Sequence, residues 1–272
     1  MRVATFAGLF YEKSFDRLNK QIEDCFKDKK GPGGFPLKRT KKISAIISPH
    51  AGYVYSGAAM AHAYKEVAEA EFADTYVIVG TDHTGIGNSV CLDDFETPFG
   101  IVKVDKNYCK QLLEKGFRQD KFINEHSIEV QLPFLQFVSK DNLKKLRIVP
   151  AVVNSFVEFP KTEKRVIFIS SSDFTHYGIN YGYTPFLFNK KEQMYDLDSK
   201  AIEFIKKLDA KGFLEYVNKT GATICGYNSI ASVVNYCKEH GAKKATLLKY
   251  YTSGDVVNDY INAVGYAAVS IV

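Results

Sequence analysis

Two histidines and a cysteine carry the first chemistry this chain could perform. His50, His83 and Cys225 each follow or sit within a tight glycine-containing turn between apolar stretches. Two imidazoles and one thiolate suit zinc, copper or Fe(II), whereas oxygen-only sets suit magnesium or calcium. Three protein ligands leave positions open for water or a small molecule, as a catalytic centre requires. The three lie far apart in the chain and nothing local fixes their geometry, so they read equally well as turn residues in unrelated places.

A second group supplies proton chemistry. Asp173 and His176 stand three apart, and if residues 173–176 open a helix their side chains share a face. They would then act as a carboxylate-oriented acid or base; the alternative is a capping aspartate beside a histidine bound to a loop carbonyl. Glu125 and His126 form a weaker pair of the same kind, and His126 is assigned to the substrate side. Tyr53 and Tyr55 follow His50, Tyr177 follows His176 and Tyr227 follows Cys225. These four phenols line a single cleft in the functional reading and pack with a polar tip in the plain one. His62 reads as a surface or packing residue, and His240 as a cation favoured at a helix carboxyl end.

These residues need elements to position them. The apolar runs 43–48, 75–80 and 165–170 are short and β-branched, the pattern of buried strands. Each ends on a polar turn, at Ser48-Pro49-His50, Thr81-Asp82-His83 and Ser170 to His176. In an open α/β sheet, ligands collect outside the carboxyl ends of the strands, so each turn faces one crevice. Further strands are expected at 147–153, 245–251 and 263–271, with a hairpin-like excursion over 93–99. Helical spacing predicts helices after Ser14, over 57–70, 106–115, 189–207, 213–217 and 228–239. Another starts near Ser127, where Pro133 would kink it or restrict its register. The stretch 31–36, rich in glycine and proline, reads as a surface loop. No repeat or composition shift marks a boundary, which predicts one α/β domain over residues 1–272.

Composition narrows the class. At 272 residues, with 46% hydrophobic and 25% charged residues, the chain can bury roughly three quarters of its unfolded surface and is neither disordered nor fibrous. The net charge of +5 sits largely in two lysine-rich runs, 27–30 and 38–42, without the aromatic interleaving of a nucleic-acid face. Five cysteines, an odd number without CxxC spacing, argue against a disulfide framework. No secretory leader and no long apolar run is evident, so a soluble cytoplasmic protein is expected, without a membrane or nucleic-acid partner.

SPHAGYVYSG (48–57), GTDHTG (80–85), EHSIEVQLPFLQF (125–137), SSSDFTHYG (170–178) and CGYNSI (225–230) occur in that order after AGLFY (7–11). In these blocks, spread over nearly the whole chain, the sequence resembles the Memo family. The resemblance implies a three-layer α/β/α fold with a mixed, mostly parallel sheet, like that of the class III extradiol dioxygenases. Those enzymes hold Fe(II) through two histidines and a carboxylate. Here the resemblance implies His50 and His83 as metal ligands, Cys225 in the carboxylate's place, His176 as the acid/base residue and Asp173 in the same pocket. Thiolate is softer than carboxylate, which shifts preference toward copper or zinc and away from ring cleavage; the family's association with iron or copper implies one Fe(II) or copper ion ahead of zinc. The family's associations imply redox or oxygen chemistry on a small substrate, or a non-catalytic module gripping a peptide, with Lys38, Arg39 and Lys41 as holders of a phosphorylated ligand. A zinc hydrolase would keep the same ligands. Prokaryotic relatives are often encoded beside a radical-SAM protein and an AMMECR-type protein, which implies a shared pathway.

Overall fold

The computed structural model describes residues 1–34 and 38–272. Its sheet has eleven strands: β1 (Ala45–Ser48), β2 (Thr75–Thr81), β3 (Ser89–Val90), β4 (Phe95–Thr97), β5 (Gly100–Val104), β6 (Arg118–Gln119), β7 (Arg147–Val153), β8 (Val166–Ser171), β9 (His176–Gly178), β10 (Ala245–Thr252) and β11 (Asn262–Ile271). The main path runs β10-β11-β1-β8-β2-β7-β3-β6. Strands β1, β8, β2 and β7 are parallel and form the centre, while β11 joins β1 antiparallel. The sheet is therefore mixed with a parallel heart, and every residue of β1 and β2 is buried. Strands covered on both faces need such continuous apolar runs.

Two neighbouring serines reveal the layers. Successive strand side chains point to opposite faces. Ser170 meets Ser229 at 2.8 Å, in the helix Tyr227–Glu239, whereas Ser171 meets Gln131 at 2.8 Å on the other side. The helices are α1 (Phe15–Lys27), α2 (Tyr53–Glu69), α3 (Lys106–Glu114), α4 (Gln131–Val138), α5 (Lys190–Lys206), α6 (Ala210–Thr220), α7 (Tyr227–Glu239) and the single turn α8 (Gly254–Val257). α1, α2 and α4 pack together, as do α5, α6 and α7, so α4 and α7 belong to different helical layers. The fold is α/β, with the sheet flanked by helices as the sequence predicts.

Several expectations are corrected in detail. α2 begins at Tyr53, four residues before the expected start, because the Phe10 carbonyl accepts the Tyr53 N–H and satisfies a donor that a helix start leaves orphaned. Tyr53 and Tyr55 thus lie on a helix and not in the preceding turn. Ser127 does not cap α4; its hydroxyl accepts the Thr81 N–H at 3.1 Å. Pro133 falls in the first turn of α4, where its missing N–H would have no intrahelical acceptor, so it causes no break. Residues 173–176 do not open a helix: Asp173 lies in a loop and His176 starts β9, paired with Val264. In α1, Phe15 is exposed and packs on Phe99, while Leu18, Ile22, Cys25 and Phe26 are buried. The excursion after β3 is the β4–β5 hairpin. Of the loop expected over 31–36, Phe35 and Pro36 lie outside the described residues.

Candidate metal centre

The carboxyl ends of β1, β8 and β2 lie side by side, in register at Ser48 with Ser171 and at Val79 with Ser170. His50 leaves β1, Asp173 leaves β8 and His83 leaves β2, so the strand order alone places the two histidines on either side of the aspartate. The His83 turn is stiffened by Asp82, whose carboxylate accepts N–H groups from Thr84, Ile86 and Gly87 at 2.7–3.2 Å. One nitrogen from each of His50, His83 and His126 lies within 4.8 Å of the others, a spacing that a single metal ion could bridge. The His50 ring stands 5.3 Å from His83 and 5.1 Å from His126, nearly perpendicular to both, and His83 stacks on His126 at 4.5 Å.

The hydrogen bonds of Ser171 fix how His50 presents itself. The Ser171 hydroxyl donates to the Ser127 carbonyl at 2.6 Å and accepts from the Gln131 amide at 2.8 Å. Having one proton and two lone pairs, it must accept from His50 Nδ1 at 3.0 Å. Gln131 is itself fixed, donating to Pro49 and accepting from Tyr64. His50 therefore directs Nε2 inward. His83 is oriented the same way, its Nδ1 lying 3.0 and 3.2 Å from the two oxygens of buried Glu125. Outer oxygen partners of this kind hold ligating imidazoles in one tautomer.

Cys225 arrives from the far layer, just before α7. Its Sγ lies 3.3 Å from His50 Nε2 and accepts the Asp173 N–H at 3.3 Å. The approach depends on Gly226: a Cβ there would fall 2.6 Å from Ser172 Cβ and 2.8 Å from Thr81 Oγ1, closer than real contacts allow. Burial opposes ionisation of the Cys225 thiol, but His50 and His83 overcome it and hold the thiol well below its ordinary pKa. Burial likewise disfavours charge on His83, yet its bonds to Cys225 and Glu125 raise it to about 10. His50 is raised too, the thiolate and Asp173 outweighing its burial. His126 goes the other way: burial, then repulsion from His50 and His83, lower it to about 3 and keep it neutral. Burial raises Asp173, opposed by His50. The metal-free site thus holds an ionised sulfur among imidazoles, and a metal would displace their protons.

His176 stands apart from this cluster. Its Nδ1 faces the carbonyls of Phe174 and Thr223 at 3.0 and 3.1 Å, which leaves Nε2 as the free nitrogen. It borders, with His126 and Asp173, a cavity of about 430 Å³. Of the four sequence-selected tyrosines only Tyr55 lies on this cavity's wall. Tyr53 donates to the Val130 carbonyl at 2.7 Å, Tyr177 donates to the Phe186 carbonyl at 2.6 Å, and Tyr227 packs against the main core. The phenols that do face the cavity include Tyr181 and Tyr266. Arg39 is engaged by Asp141 at 2.7 Å, and Lys41 by Glu66 and Glu69 at 2.8 and 2.6 Å.

Sequence reasoning passed over the residues that brace the site. Glu129, fully buried, accepts from Arg2, from the Thr5 and Phe6 N–H groups and from Tyr11. It ties down the N-terminal segment, whose Phe6 and Phe10 pack on His126 at 5.6 and 4.7 Å. A buried glutamate in an apolar stretch was the available signal, since such a carboxylate requires a partner. Its partner, 127 residues away, could not be read from spacing.

Fold and site together define a class: an α/β protein with a histidine-rich candidate metal centre at the carboxyl edge of its parallel strands. Residues 2–270 match the family described as Memo-like protein. A MEMO1 family protein of Methanopyrus kandleri is 36% identical over 98% of both chains. Those of Methanocaldococcus jannaschii and Methanosarcina barkeri are also 36% identical, over all of this chain and 99% and 100% of theirs. The chain belongs to the Memo family. Among the described residues, no helix is long and apolar enough to cross a membrane.

Proposed function

We propose that this is a metal-binding protein whose centre combines His50, His83 and the Cys225 thiolate, and that it carries out redox or oxygen chemistry on a small substrate in the adjoining cavity. The observation that carries the reading is the 3.3 Å separation of Cys225 Sγ from His50 Nε2. The two donor atoms are thus close enough for one ion to be held by both, and a thiolate with imidazoles is a donor set that soft and borderline transition metals accept. His126, neutral and within reach, is the competing third ligand. A thiolate beside two imidazoles fits iron or copper, either of which would supply one-electron and dioxygen chemistry that no side chain here offers.

The chain's own residues account for the rest. Ser171 and Glu125 aim the two imidazoles, and Asp173 holds the His50 backbone through a 2.8 Å bond to its N–H. His176 has its inner nitrogen committed to carbonyls, so Nε2 is where a proton is held or delivered to a molecule in the cavity. Anaerobic loading with Fe(II) or Cu(I), followed by elemental analysis, should give about one equivalent. Cys225→Ala should lower affinity far more than His126→Ala. Equal affinity in Cys225→Ala and the parent would remove the cysteine from the centre, and absence of oxygen uptake by the loaded protein under every reductant tried would remove the oxygen chemistry.

A further inference from the structure

We infer that the cavity beside the metal centre takes an organic cation, carried on a compact apolar body, and rejects anions. The inference rests on reading this cavity as the substrate side of the proposed centre, and it adds the chemical class of the ligand. At the floor lies Asp173, 4% exposed, whose Oδ1 accepts the N–H groups of His50 and Ala51 at 2.8 and 3.3 Å. Its Oδ2 has no hydrogen-bond donor among the described residues and lies 4.0 Å from His50 Nε2. That carboxylate lines the cavity, where an oxygen without a protein donor can accept one from a ligand. As a carboxylate, it favours a ligand that brings positive charge.

The walls have the same preference. Phe10, Tyr55, Tyr181 and Tyr266 contribute four aromatic rings, and aromatic faces attract cations through their quadrupole. Tyr55 and Tyr181 are 42% and 44% exposed and stand at the mouth, while Tyr266 and Asp173 are buried. The field of Asp173 reaches Tyr181 and Tyr266, adding to burial in raising both phenols. Among the described residues no lysine or arginine lines this cavity. A neighbouring groove of the same volume, on the other side of Tyr55, serves as the contrast: Arg17, Lys20 and Lys30 face Glu12, Asp24 and Asp28 there, so charge of neither sign is favoured. The sign preference is thus a property of the site cavity and not of the surface as a whole.

Benzyltrimethylammonium and benzenesulfonate share a ring and differ in sign, and the quaternary ammonium has no lone pair to ligate a metal. Binding of each to the full chain, metal-free and metal-loaded, is read by line broadening of the ligand's NMR signals. The cation should bind at least about tenfold more tightly than the anion in both forms, Asp173→Asn should weaken it about tenfold, and Tyr181→Leu about fivefold. Tyr181 is largely exposed, so that variant remains informative if Asp173→Asn misfolds. Equal or preferential binding of the sulfonate, or cation binding unchanged in Tyr181→Leu and Asp173→Asn, overturns the inference. Metal content of the same samples separates the two readings: cation selectivity with no Cys225-dependent metal keeps the inference and removes the proposed centre, and metal without selectivity does the reverse.

Discussion

Replacing Glu125 by glutamine tests whether the orientation of His83 is built by that carboxylate. The side chain is 1% exposed and its two oxygens receive three donors: Oε1 takes the Ser127 N–H at 2.8 Å, Oε2 takes the His83 N–H at 2.9 Å, and both face His83 Nδ1. A glutamine keeps one oxygen. With that oxygen toward Ser127, the amide NH2 meets the His83 backbone N–H; turned around, it meets the Ser127 N–H. Either way one buried backbone donor faces another donor, which costs about 1–3 kcal/mol of stability. The imidazole also loses an anionic partner that fixes its tautomer, and such losses lower metal affinity about 10–100-fold. Urea unfolding reads the first quantity and competition with a chromophoric chelator reads the second. A folded Glu125→Gln protein with parental metal affinity would refute the assignment of His83 as a ligand oriented by Glu125.

Two further outcomes follow from the titrating groups. In metal-free protein, half-buried Cys225 should react with iodoacetamide at a rate nearly independent of pH between about 6.5 and 9, because its thiol is already ionised. Cys25, Cys91, Cys109 and Cys237, buried and pushed up to about 11–12, should stay silent, and a Cys225 rate climbing tenfold per pH unit would contradict the thiolate. Asp198, fully buried beside Thr175 just before β9, accepts from Thr175 and Tyr250 at 2.5 Å and is raised to about 6 by its burial. A carboxyl raised in the folded state binds its proton more tightly there, so its contribution is greatest below about pH 4 and is lost as pH rises to about 6. The stability of Asp198→Asn relative to the parent should therefore increase by up to about 3 kcal/mol from pH 4 to pH 7, and a pH-independent difference would show that Asp198 does not titrate in this range.

Much of the architecture was legible because it is written locally. β2, β7 and β8 are continuous apolar runs, and a strand buried on both faces can be nothing else at that length. The turns after β1 and β2 place His50 and His83 at strand carboxyl ends, which any parallel α/β sheet turns into a crevice. α2 starts earlier than its local spacing predicts because its first donor is satisfied by Phe10, more than forty residues away, and residues 173–176 do not open a helix because β9 pairs with β11, near the carboxyl end of the chain.

By itself, then, the sequence determined the α/β class, the central strands and two imidazoles at their ends, along with the family resemblance that pointed to Cys225. Tertiary structure alone decided the rest. It set His126 against His83, carried Cys225 across the sheet through the gap that Gly226 leaves, spent the Ser171 proton on Ser127 so that His50 turns Nε2 inward, and closed the site with an N-terminal segment held by Glu129. It also moved Tyr53 and Tyr177 into packing roles and gave the cavity Tyr181 and Tyr266 instead. The physical reason is the same in each case: strands and helices follow from the periodicity of neighbouring residues, whereas a site is made by groups distant in sequence, whose proton positions and charges depend on partners that only the folded chain supplies.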